Sequence, residues 1–158
     1  MKKISRKAFL VSGATVAAAA GACLCTKTGR ATISGVGDTP NIAPEAYDIG
    51  EDKSIRIHLD RVPELAINGG SVKILDSNID DALIVVRTAD DVYVASSIKC
   101  THRGVEVEYQ ADDKCFKCAS LGGSTFKTNG EKIGGFAKGH LKTYSVSVED
   151  NSLVVRLA

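Results

Sequence analysis

The sequence predicts an all-β fold, a small antiparallel β-sandwich or barrel, from about residue 54 onward. Three observations predict it. Short apolar stretches recur with two-residue alternation. Turn residues punctuate them every few positions. No stretch after residue 30 has the spacing of an amphipathic helix. Residues 54–158 suffice for one domain with its own core.

Taken in order, Ile55, Ile57 and Leu59 alternate with Arg56, His58 and Asp60, the pattern of a half-buried strand with His58 toward solvent. Pro63 ends it, and Asn68-Gly69-Gly70 turns into a strand over Ser71–Leu75. Ala82–Thr88 is a continuous apolar run with Leu-Ile-Val-Val at its centre, which predicts a buried strand. Ala89-Asp90-Asp91 turns it into a partner over Val92–Ser97. Val105, Val107 and Tyr109 alternate with Glu106 and Glu108, which read as a solvated face. Asp112-Asp113 leads into Lys114–Lys117, and Asn129-Gly130 is a hairpin signal. Tyr144, Val146 and Val148 alternate, Glu149-Asp150-Asn151 turns, and Leu153–Leu157 closes the chain.

Residues 1–22 read as an export signal: Lys2, Lys3, Arg6 and Lys7 precede an Ala-rich apolar run too small-sided for a membrane span. Ser5-Arg6-Lys7-Ala8-Phe9-Leu10 resembles the twin-arginine export motif with Lys in place of the second Arg, and ordinary secretion is the alternative. Ala20-Gly21-Ala22-Cys23 resembles a bacterial lipobox, which implies a lipid on Cys23 and an anchored terminus; the alternative is plain cleavage with Cys23 incidental. Residues 23–53, rich in Thr, Gly, Ser, Asp and Asn with Pro40 and Pro44, read as a polar tether. The expected location is the outer face of the cytoplasmic membrane.

Four of the 20 Lys and Arg lie in residues 1–22, leaving 16 against 19 acidic residues. No basic patch is interleaved with aromatics, so nucleic acid is not an expected partner. No nucleophile–base pair or carboxylate dyad appears, so hydrolase and transferase chemistry is not expected.

The chemistry-bearing stretch is Cys100–Phe126. Cys100 and His102 lie one residue apart, and Cys118 follows before a Gly-rich turn. A thiolate and an imidazole on one loop, with a thiolate on a second, can clamp a metal centre between two hairpin tips. Cys115 makes C-x-x-C with Cys118, so Cys100, His102, Cys115 and Cys118 form a set that could hold a [2Fe–2S] cluster or a tetrahedral zinc. Cys115–Cys118 and Cys100–Cys118 are also candidate disulfides, in a domain that lacks a cofactor.

The stretch resembles the Rieske iron–sulfur proteins. Cys100-Thr101-His102-Arg103-Gly104 is similar to their first loop, and Phe116-Lys117-Cys118 with Gly123-Ser124-Thr125-Phe126 to their second. Arg61–Ile74 and Gly134–Val155 resemble their first hairpin and closing segment, with Phe136 and His140 in place of two prolines. The resemblance implies a Rieske-like fold with cluster-binding loops at one end. It implies one iron on Cys100 and Cys118 and the other on His102. The second histidine of the family is missing: the position holds Leu121, or Gly122 if one residue is inserted. Cys115, His140, a water or a partner residue are the candidates for the fourth ligand. The inter-loop disulfide of many members would fall at Val105 and Ser120 and is therefore absent. The function implied is one-electron transfer to a redox partner protein at the membrane surface, as a carrier or a subunit of a redox complex. The alternatives are a cofactor-free binding or structural domain and a structural zinc site.

Overall fold

Leu83-Ile84-Val85-Val86 organises the domain because it is buried on both faces. The computed structural model describes residues 38–157; the stretch read as an export signal and Cys23 lie outside them. Leu83 and Val85 face one apolar core, with Ile55, Ile57, Val72, Ile74, Leu153 and Val155. Ile84 and Val86 face a second, with Val107, Tyr109, Phe116 and Phe126. A strand buried on both sides needs no polar alternation, which is why this run is continuously apolar.

Among the described residues eleven strands form two sheets. They are β1 (Tyr47–Ile49), β2 (Ser54–His58), β3 (Ser71–Ile74), β4 (Leu83–Ala89), β5 (Val92–Ser97), β6 (Val107–Gln110), β7 (Cys115–Cys118), β8 (Thr125–Lys127), β9 (Lys132–Gly134), β10 (Thr143–Glu149) and β11 (Ser152–Arg156). The larger sheet runs β1-β2-β11-β10-β5-β4-β3, and the smaller runs β6-β7-β8-β9. The paired strands are antiparallel throughout both sheets. The all-β class and the small antiparallel architecture are those the sequence predicts.

Several local expectations are refined. The first predicted strand stops at His58, and Leu59–Arg61 and Pro63–Ala66 are short 3₁₀ turns. His58 bonds Asp48 through Nε2 at 2.8 Å rather than facing open water. Asn129-Gly130 does join β8 to β9, with Gly130 at a φ of 84°. Only Gly130 of the pair has a positive φ, so this is not the two-residue mirror-image turn that Asn-Gly most strongly signals. The stretch read as the end of a tether packs on the domain: Ile42 lies in the core, Ile42 N–H donates to Lys73 O, and Lys73 N–H donates to Pro40 O. No helix among the described residues is long and apolar enough to cross a membrane.

Glu108 corrects the expectation of a solvated glutamate face. It is buried at 6% exposure, and its carboxylate pairs with the Lys73 ammonium, itself 5% exposed. The other carboxylate oxygen of Glu108 accepts the Thr39 N–H at 2.9 Å. Glu106 remains half-exposed and reaches Lys73 Nζ at 3.0 Å. Lys73 stands opposite Ile84 in the β3–β4 register and so projects toward the smaller sheet. The ion pair therefore joins the two sheets below the loops that carry Cys100 and Cys118.

Candidate metal centre

Three loops converge at one end of the smaller sheet. The first joins β5 to β6 and carries Cys100 and His102. Its turn is closed by Cys100 N–H to Val105 O (2.9 Å) and Gly104 N–H to Cys100 O (2.8 Å), with Gly104 at a φ of 70°. The second joins β7 to β8 and is closed by Cys118 N–H to Ser124 O and Gly123 N–H to Ser120 O. Ala119 N–H donates to Glu106 O, tying the second loop to the first. The third joins β9 to β10 and is held to the first by Thr101 Oγ1 donating to Gly139 O at 2.9 Å. Gly135 in this loop has a φ of 78°, and a Cβ there would lie 2.7 Å from Ser124 N. No other residue allows that backbone approach without strain.

Cys100 and Cys118 are each 2% exposed and their thiols are neighbours. Burial pushes the Cys100 thiol above its usual range, and the adjacent Cys118 thiol adds to this; the His102 N–H and the Ser124 hydroxyl act the other way. The Ser124 hydroxyl lies beside Cys100 without forming a well-aligned bond, and is buried without a partner. Ser120 Oγ lies 3.2 Å from Cys118 Sγ. His102 Nδ1 is likewise buried with no hydrogen-bond partner. A buried polar atom left unpaired costs about 1–3 kcal/mol, so such atoms call for a ligand. Four side-chain atoms among the described residues are orphaned in this way, and two of them line this site.

The structure does not bring Cys115 here. Cys115 and Cys118 are three apart in β7, which puts their side chains on opposite faces of the strand. Cys118 shares its face with Val107, Phe116 and Tyr109, whereas Cys115 is paired with Gln110 and Lys127. A four-donor set that includes Cys115, whether for a cluster or for zinc, is therefore not assembled, and a Cys115–Cys118 disulfide is excluded by the same geometry. Cys100, Cys115 and Cys118 are all free thiols. His140 is exposed, and its Nδ1 accepts the Lys132 N–H at 3.0 Å. That bond engages the ring with β9 rather than with His102.

Leu121 is fully exposed, whereas a Cβ on Gly122 would lie 3.7 Å from His102 Nδ1. Leu121 is therefore the inserted residue, and Gly122 holds the place opposite His102. The Phe136 ring packs over both, 5.9 Å from the His102 ring and within 3.0 Å of that Cβ position. From sequence Phe136 reads only as a replaced proline in the third loop; its contact with Gly122 crosses between loops and leaves no local signal.

Among the described residues no three His, Cys, Asp or Glu side chains converge about a single point as one metal ion requires. A two-iron cluster makes a different demand, because its donors divide into two groups separated by the cluster's width. The two neighbouring thiols and the unpaired imidazole nitrogen are of the donor types such a cluster takes.

The Rieske [2Fe-2S] domain family model matches residues 59–145, more than half of the chain. Curated proteins give no match. Among solved structures, the plasma-membrane Rieske protein of the cyanobacterium Synechocystis is 26% identical, over 54% of this chain and 85% of that one, with a TM-score of 0.48. The ferredoxin of carbazole 1,9a-dioxygenase from Nocardioides aromaticivorans is 20% identical, over 56% and 86%, with a TM-score of 0.47. A quaternary ammonium Rieske monooxygenase, described in relation to carnitine oxidation by gut microbiota, is 17% identical, over 61% of this chain and 29% of that one, with a TM-score of 0.49. The matched span contains Cys100, His102, Cys118 and all three loops, and the chain belongs to the Rieske [2Fe–2S] domain family.

Proposed function

We propose that this protein is an exported, membrane-tethered Rieske-type electron carrier whose [2Fe–2S] centre has three protein donors instead of four. Cys100 Sγ and Cys118 Sγ would hold one iron, and His102 Nδ1 the other. The observation that carries this reading is the buried, unpaired His102 Nδ1 beside two neighbouring buried thiols. When bound, the cluster supplies one-electron uptake and release. The chain's own residues shape that site. The His102 N–H stabilises the thiolate form of Cys100. The Ser120 hydroxyl stands within reach of the Cys118 sulfur. Leu121 and Phe136 stand exposed on the second and third loops, where a redox partner protein would dock.

The test is the metal content of the full chain, purified anaerobically from iron-replete cells. Iron and acid-labile sulfide near two each per chain are expected. Zinc without sulfide overturns the reading in favour of a structural metal. Absence of metal leaves the cofactor-free domain, which the missing donor at Gly122 specifically favours.

Export and anchoring rest on the basic start of the chain and on Ala20-Gly21-Ala22-Cys23. Cell fractionation is expected to find the protein on the outer side of the cytoplasmic membrane, with Cys23→Ser releasing or mis-processing it. A wild-type chain found soluble in the cytoplasm would refute this part.

A further inference from the structure

Lys132 of β9 grips the third loop twice. Its N–H donates to His140 Nδ1 at 3.0 Å, and its ammonium donates to Ala137 O at 2.6 Å. The same loop carries Phe136, whose ring packs on that of His102. The first of the two bonds depends on a proton. A ring nitrogen that accepts an N–H must be unprotonated, so His140 is neutral in this arrangement, with its proton on Nε2. A proton on Nδ1 would set two N–H donors against each other and end the bond. Histidine is the side chain whose charge changes between about pH 5 and 8, and His140 stands open to solvent.

The charges around the ring decide where it goes once protonated. The Glu131 carboxylate is held below its ordinary range, first by its hydrogen bond and ion pair with Lys127 and also by the charge of His140. That influence is mutual, so Glu131 favours the protonated ring and offers it a new partner. The Lys132 ammonium, and Lys138 and Lys142 on either side in the chain, oppose it. The first loop meets this segment through Thr101, which is uncharged and donates to Gly139 O.

We propose that Lys132 and His140 form a proton-released clamp on the third loop, closed while His140 is neutral and open once Nδ1 binds a proton. In the open state the ring turns to Glu131. The loop keeps its other attachments, Thr101 to Gly139 and the Leu141 N–H to Gly130 O. It therefore loosens rather than unfolds, and Phe136 loses its fixed place over His102. The clamp uses none of Cys100, His102 and Cys118, and it does not rest on the electron-transfer reading.

The experiment is hydrogen–deuterium exchange of the full chain, read by mass spectrometry on peptides spanning residues 133–141, from about pH 8 to about pH 5. Each rate is divided by that of the unstructured peptide at the same pH. Wild-type protection of the loop is expected to fall about two- to tenfold on acidification, the worth of one neutral hydrogen bond, while peptides covering β4 stay unchanged. His140→Asn offers an amide oxygen in place of Nδ1 and does not titrate, so it should keep the neutral-pH protection throughout. His140→Ala should show the low protection throughout. Lys132→Met removes only the ammonium grip and should lower protection at every pH with the step retained. Glu131→Gln should move the step to lower pH, because the ring loses the carboxylate that favours its proton. His58 and His102 remain in His140→Asn, so a step that survives there belongs to them and overturns the clamp. A wild-type loop whose protection does not change with pH also overturns it, and needs no variant. Iron analysis of the same samples bears on the cluster alone, so the two readings fail separately.

Discussion

Lys73→Met is expected to destabilise the domain by about 3–5 kcal/mol, the usual cost of removing one partner from a buried ion pair. Lys73 and Glu108 are 5% and 6% exposed, and beyond Lys73 the Glu108 carboxylate has only the Thr39 N–H. The loss would be a large share of the roughly 5–15 kcal/mol that holds a domain folded. Urea unfolding should therefore show a strongly lowered midpoint at an unchanged slope. Lys73→Met combined with Glu108→Leu should recover most of the loss, because the cost lies in the uncompensated charge. A Lys73→Met effect within about 0.5 kcal/mol, the range of surface substitutions, would refute the burial of this pair.

The pH dependence of the same pair has a definite sign. Burial pulls the Lys73 pKa down, but the hydrogen bonds and charges of Glu108 and Glu106 together outweigh it and raise the ammonium above its ordinary 10.5. A raised folded pKa means the native state binds the proton longer than the unfolded chain does. The contribution of Lys73 is thus fully present below about pH 10.5 and is lost as pH rises through the folded value. In Lys73→Met this alkaline component of the stability profile should vanish.

The strands were legible wherever burial is decided by neighbours in sequence. Leu83-Ile84-Val85-Val86 reads as a buried strand because four consecutive apolar side chains need a core on each face, and the two cores are there. The expectation for Glu108 fails because alternation with Val107 and Tyr109 fixes only that it points the other way. Whether that other way is water depends on β3, 35 positions distant. Cys115 failed for a geometric reason: C-x-x-C brings two sulfurs together across a turn, but in an extended strand residues three apart diverge. The proximity of Cys100 and His102 was legible because their spacing within one turn already fixes it. The choice between Leu121 and Gly122 was not, since only the closed loop shows Leu121 turned to solvent. The Ser124 hydroxyl stood in the quoted motif, but its place beside Cys100 depends on how two loops pack.

Cys100→Ser and Cys118→Ser are each expected to abolish cluster binding, while Cys115→Ser leaves it intact. The two site thiols are buried neighbours, and burial raises the Cys100 thiol, so its thiolate is costly without a metal. Bound iron would offset that cost by its positive charge. Remove one sulfur and a single thiolate faces an iron with a hydroxyl, a far poorer donor. With only one imidazole on the other side, the site has no spare ligand to absorb the loss. Cys115 lies on the opposite face of β7, so its removal costs only local packing. Iron and sulfide analysis of the three variants should therefore separate cleanly, with near-zero content in the first two and wild-type content in the third. A second readout does not depend on the metal. In iron-free protein treated with a mild oxidant, Cys100 and Cys118 should form a disulfide and Cys115 should remain free, detectable by thiol counting and peptide mapping. A Cys115→Ser variant that loses its iron, or a Cys115–Cys118 bridge in the oxidised protein, would show that β7 does not hold its extended register and would overturn the assignment of the site.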